Sequence, residues 1–253
     1  MKLLAFDTST DALSIAVSSE DGVWHSSGPG GAQASNSLIG SVMDLLRQAD
    51  LRLAELDAIC FGSGPGSFTG LRTACSVAQG LAFGANVPVL PVPSLLALAQ
   101  AARMDAAPDA PQGQITALLD ARMDEVYAAT YAFDGAQWNI LQAPCLVAPE
   151  DLEHWALAPP AGGWHAWAGN VFDVYAERLR VPSALPCVAA VPTAVAMLQL
   201  APALLHAGHA VPASQALPLY VRDKVAKTTV ERAAEKAEKE QRLARNVSPG
   251  AHA

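Results

Sequence analysis

Two stretches of this 253-residue chain carry residues whose types and spacing could do chemistry. The first is Gly62-Ser63-Gly64-Pro65-Gly66-Ser67-Phe68-Thr69-Gly70-Leu71-Arg72, directly after the apolar run Ala58-Ile59-Cys60-Phe61 and before a long run of small and apolar residues. Glycines between a strand and a helix start let the backbone take positive φ and approach something closely, while the unpaired N–H groups of the helix start face outward. A loop of that kind holds a phosphate or seats a neighbouring chain. The second stretch is Asp7-Thr8-Ser9-Thr10, between two apolar runs. Its hydroxyls and N–H groups could hold phosphate oxygens, and its carboxylate a Mg²⁺ through water. The same side chains would equally satisfy the turn's own backbone. A phosphate-type site would draw on Asp7, Thr8, Ser9, Thr10, Gly64 and Gly66.

The common phosphate motifs do not fit. None of Gly62, Gly64 or Gly66 is followed at Walker A spacing by Gly-Lys. A dinucleotide loop needs a parallel unit near the domain start and an acid about twenty residues on, and Leu81 to Leu90 contains none. Of the six histidines, only His206 and His209 lie close together, at a helix C-terminus that favours a cation for dipole reasons alone. No Gly-x-Ser-x-Gly elbow exists, and Asp120, Arg122, Asp124 and Glu125 have no evident nucleophile beside them; they read as a polar hairpin turn. No metal, cofactor or catalytic residue is expected.

The elements that must position these residues follow from periodicity. Lys2 to Phe6 and Ala12 to Ser18 read as strands of an antiparallel meander, with Asp21-Gly22 turning into a third strand around Val23 to Ser26. Ser35, Asn36 or Ser37 can cap a helix in which Leu38, Ile39, Val42, Leu45, Leu46 and Ala49 share a face. A strand at Leu56 to Phe61 leads into the glycine loop and a helix from Thr69 to Ala85. There Gly70, Ala74, Ala78 and Ala82 form a small-residue ridge, which suits either the protein's own sheet or a second helix from another chain. Val87 to Val92 is a short strand and Ser94 to Arg103 a helix. The stretch Met104 to Gly113 has the composition of a linker, which places a domain boundary there. Ile115 to Leu119 and Glu125 to Phe133 read as strands, a short helix falls near Glu150 to Trp155, Trp164 to Ala168 is a strand, and Pro192 to His206 is a helix. The expected organisation is residues 1–104, residues 105–224 and a charged, solvated tail at 225–253.

An apolar fraction of 51% supplies a sizeable core. The four cysteines are widely spaced, as reduced buried thiols would be. Only four apolar residues stand between Lys2 and Asp7, and prolines interrupt Val87 to Ala102, so no leader or membrane span is expected and the protein reads as cytoplasmic. From Arg222 onward eight Lys/Arg face five acids, so the first 221 residues hold −11 of a net −8. A body that acidic repels a phosphate backbone and is a poor direct binder of nucleic acid.

These residues also carry a family resemblance. Leu4-Ala5-Phe6-Asp7-Thr8-Ser9-Thr10 with Ala12 to Ala16, then Gly62 to Arg72, Ala78-Gln79-Gly80-Leu81-Ala82 and Asp120-Ala121-Arg122-Met123 followed by Glu125-Val126-Tyr127, resemble the TsaB (YeaZ) family of bacterial tRNA threonylcarbamoyladenosine biosynthesis subunits. Leu217 to Arg222 is similar to that family's closing strand, and the match spans residues 1 to 222. The resemblance implies a two-lobed α/β, actin-like (ribonuclease H-like, ASKHA) fold with mixed sheets flanked by helices. It implies a non-catalytic partner of TsaD, the subunit that transfers threonylcarbamoyl to the adenosine next to the anticodon, with the ATPase TsaE as a third member. Homodimers are also implied, and tRNA is met only through the complex. TsaD-type proteins hold metal through two histidines on the helix that here begins near Ser35; this chain has none there, and the single His often kept by TsaB proteins is replaced by Ala34. The expected partner contact is built from Leu38, Val42 and Leu45 on the first helix and Arg72, Ala74, Cys75, Ala78 and Ala82 on the second. The alternative is an independent actin-fold ATPase or phosphotransferase using Asp7 and the glycine loop.

Overall fold

A computed structural model describes residues 1–31, 34–135, 137–155, 163–181 and 185–222. The expected tail at 225–253 lies outside the described residues. Two five-stranded sheets carry the fold. The first runs β3 (Gly22–Pro29), β2 (Ala12–Ser19), β1 (Leu3–Asp7), β4 (Ala58–Gly64), β5 (Val89–Pro93). In it β1 is antiparallel to β2 and parallel to β4. The second runs β8 (Trp138–Val147), β7 (Val126–Phe133), β6 (Gly113–Asp120), β9 (Trp164–Gly169), β10 (Cys187–Ala189), with β6 antiparallel to β7 and parallel to β9. Both sheets are therefore mixed, and each has the same order and the same directions.

The strand period of two divides the core. On β1, Leu3 and Ala5 face one apolar cluster while Leu4 and Phe6 face another. The outer face of the first sheet is covered by α1 (Ala34–Gln48) and α2 (Phe68–Ala85). Its inner face meets α3 (Ser94–Ala106) and α4 (Ala194–His206), which share one cluster with Ile115, Ala117 and Leu119 of β6. Lying between two sheets, α3 is apolar all round, with every residue from Ser94 to Ala102 buried. Contacts group Met1–Val221 into one unit and Arg222–Ala253 into another. No helix among the described residues is long and apolar enough to cross a membrane.

Several elements depart from the sequence reading. β8 and β10 were not expected: β8 is an edge strand with little alternation and Pro144 within it, and β10 has three residues. α1 begins at Ala34, so Ser35 to Ser37 lie in its first turn rather than before it. Leu217 to Arg222 is not a strand, although Leu219 N–H donates to the Ser63 carbonyl at 2.7 Å.

Candidate functional site

The two candidate stretches meet. β1 pairs in parallel with β4 up to Phe6 against Phe61, which carries Asp7 past the end of that register to lie beside Gly62. A Cβ on Gly62 would stand 1.8 Å from Asp7 Oδ2. One on Gly66 would stand 2.5 Å from the Ser9 carbonyl oxygen, and one on Gly70 1.8 Å from that of Thr8. Ser67 N–H donates to the Ser9 carbonyl at 2.7 Å, and Thr8 Oγ1 donates to the Gly70 carbonyl at 2.7 Å. Gly64, at φ +112°, lies against Leu219 and Leu71. The glycines let the chain pack against itself: the concavity over the loop is filled by the Thr8–Ser9 backbone.

Asp7, Thr8 and Ser9 are consequently buried. Asp7 Oδ1 accepts from Ser9 N–H at 2.8 Å and Ser9 Oγ at 2.7 Å, and Oδ2 accepts from Ser94 Oγ at 3.2 Å. Ser94 Oγ in turn accepts from Gly64 N–H at 3.1 Å, tying the start of α3 to the glycine loop. Burial pushes the Asp7 carboxyl above the usual carboxylate range, opposed in part by the Ser9 and Ser94 bonds. Thr10 is half-buried, its Oγ1 accepting from Ala12 N–H at 3.2 Å. The hydroxyls of Thr8 and Ser9 and the N–H groups of Ser9, Gly64 and Ser67 all donate within the protein, and Asp7 has hydroxyl and amide donors around it.

Most of the expected contact residues face inward. Leu38, Val42 and Leu45 of α1 and Ala74, Cys75, Ala78 and Ala82 of α2 are buried in the cluster between these helices and the first sheet. The small-residue ridge is thus the inward face, because short side chains let α2 lie close on the strands. Arg72 is exposed; its guanidinium lies over the Phe68 ring at 3.8 Å, and its Nε donates to Tyr220 Oη at 3.2 Å. What the two helices present outward is Ile39 and Met43 on α1 and Phe83 on α2, the last 83% exposed. Gly40, Gly80 and Gly84 lie beside them with open space where a side chain would be. Spacing of four, in Ile39 with Met43 and Gly80 with Gly84, was the available signal for that face.

The polar turn after β6 holds more than a hairpin requires. Asp120 Oδ1 accepts from Arg122 N–H at 2.8 Å and from Tyr175 Oη at 2.8 Å, while Asp120 N–H donates to Asn170 Oδ1 at 2.9 Å. Arg122 Nη1 reaches Asp120 Oδ2 at 3.3 Å, and Nη2 pairs with Asp11 of the β1–β2 turn. Arg178 bridges Asp124 at 2.8 Å and Glu150 at 2.7 Å. Burial, then the bond to Asp120, raises the Tyr175 hydroxyl above its ordinary value and keeps it a donor.

A family model described as TsaD, tRNA N6-adenosine threonylcarbamoyltransferase, matches residues 30–249. The tRNA threonylcarbamoyladenosine biosynthesis protein TsaB of Haemophilus influenzae is 32% identical over 238 residues, covering 89% of this chain and 95% of that protein. The TsaB protein of Escherichia coli K12 is likewise 32% identical, over 89% of this chain and 96% of its own. Among solved structures, YeaZ from Pseudomonas aeruginosa is 36% identical and superposes with a TM-score of 0.75 over 87% of this chain and 99% of that one.

Proposed function

The chain belongs to the TsaB (YeaZ) family of tRNA threonylcarbamoyladenosine biosynthesis proteins, with its actin-like fold, and we propose that it is the accessory subunit that docks on TsaD and performs no chemistry itself. TsaE joins as a third member, tRNA is met only through the complex, and the chain acts in the cytoplasm without a cofactor. Residues 1–104 form the lobe that carries the contact, residues 105–224 the second lobe, and 225–253 a charged tail.

The observation that carries this reading is the filled loop. A phosphate-binding loop needs N–H groups aimed into open space. Here the Ser67 N–H at the helix start is taken by the Ser9 carbonyl at 2.7 Å, and the Thr8 and Ser9 carbonyls lie so close to Gly70 and Gly66 that neither position has room for a Cβ. The same packing counts against an independent ATPase or phosphotransferase. The outward faces of α1 and α2 supply the contact instead: large apolar side chains beside glycines, which allow helices of another chain to approach closely. A second copy of this chain would fit the same faces and form a homodimer in competition with TsaD.

Phe83→Glu combined with Gly80→Arg tests the assignment. Capture of purified TsaD falls by at least about ten-fold, as removal of a central apolar anchor does. Reconstituted tRNA modification falls with it, while the thermal midpoint of the isolated chain is unchanged. Undiminished TsaD capture by the folded double variant would reject this face. Ala78→Arg is no substitute, since it would bury a charge in the core.

A further inference from the structure

We propose that Arg122 is a built-in latch that ties the hairpin tips of the two sheets together and sets how readily they part. The two tips are equivalent by topology: β1–β2 and β6–β7 are the antiparallel hairpins at the centre of two sheets of identical order. Arg122 belongs to one tip and Asp11 to the other, 111 residues apart, and the two are ion-paired. The same guanidinium also contacts Asp120, whose side chain is 6% exposed, so it bridges a carboxylate rooted in the second sheet and one on the rim of the first.

The backbone behind Arg122 is built to hold it out. Arg122, Met123 and Asp124 lie in succession at φ 59°, 57° and 60°, a left-handed turn with no glycine in it. Side-chain crowding against the following carbonyl makes each such residue unfavourable, and a run persists only where surrounding bonds over-determine it. Those bonds are present. Asp120 holds Arg122 N–H, Ala121 N–H donates to the Glu125 carbonyl at 2.9 Å, Glu125 N–H donates to the Arg122 carbonyl at 3.2 Å, and Arg178 holds Asp124. A polar hairpin with no cross-sheet role would need only a common turn. This one uses a strained backbone and four polar interactions to aim one guanidinium at the opposite tip. The opposite tip is fixed as well: Gly30 N–H donates to the Asp11 carbonyl at 2.8 Å, which holds the end of β3 under Asp11.

Amide hydrogen exchange on the full chain tests the latch. In Asp11→Asn, the amides of residues 121–125 exchange about two- to five-fold faster, although no residue of that turn has been altered. Arg122→Gln accelerates residues 10–13 to the same degree, and the double variant exchanges no faster than either single one. Unchanged exchange at 121–125 in Asp11→Asn, or effects that multiply in the double variant, overturns the proposal. Asp11 and Arg122 are both largely exposed, at 84% and 68%, so the variants keep the fold on which the measurement depends.

Discussion

The two hairpin tips have the same place in the same topology and are held by different physics. Asp7 and Asp120 each end the central strand of their sheet, Asp7 beside Gly62 of β4 and Asp120 with its N–H held by Asn170, the residue after β9. At the first tip, backbone packs on backbone: Thr8 and Ser9 sit in the space that Gly66 and Gly70 leave open, and the carboxylate is sealed in with hydroxyl partners. At the second tip, side chains do the holding, through Asp120, Tyr175, Arg122 and Arg178. Duplicated topology therefore does not dictate duplicated chemistry. A tip made of glycine contacts has little room for a ligand, whereas a tip made of charged side chains is held by bonds that single substitutions remove.

The contrast can be broken at either end. Gly70→Ala should have the largest effect, because its Cβ would meet the Thr8 carbonyl at 1.8 Å and backbone must move. A loss of about 3 kcal/mol or more in urea unfolding is expected; a loss below about 1 kcal/mol would mean that the first tip is not close-packed. Asp120→Ala comes next, leaving Tyr175 Oη and Arg122 N–H without their shared acceptor, at about 2 kcal/mol. Met123→Gly has the smallest effect and the opposite sign. Glycine relieves the left-handed strain at φ 57° at the expense of a more flexible unfolded chain, for a gain of about 0.5 kcal/mol. A loss instead of a gain there would show that the turn is not strained.

Much of the first sheet was legible in the sequence, because its meander, glycine loop and flanking helices each carry a local signature. The direction of the α2 ridge was not. A line of Gly70, Ala74, Ala78 and Ala82 specifies a face that something approaches closely, and the protein's own strands satisfy that as well as a foreign helix. The missed strands fail for another reason: β8 is a half-exposed edge with irregular pairing, so its side chains do not alternate. The site is legible only in part because its contacts are long-range. Nothing local to Thr8 announces that it will occupy the space above Gly70, and nothing in Arg122-Met123-Asp124 announces three left-handed residues where glycine is absent. The TsaB family motifs located both tips without revealing what either tip does.

One consequence concerns the order in which the chain is made. α4 packs on β1 and β2, and its first N–H donates to Ser14 Oγ at 2.9 Å across 180 residues. The inner face of the first sheet, including Leu3 and Ala5, is therefore completed by residues 194–206. On the ribosome, β1 and β2 wait for the synthesis of residues 194–206 before their inner apolar face is covered. The span of synthesis in which that face invites misassembly or a chaperone is thus set by the position of α4 in the chain.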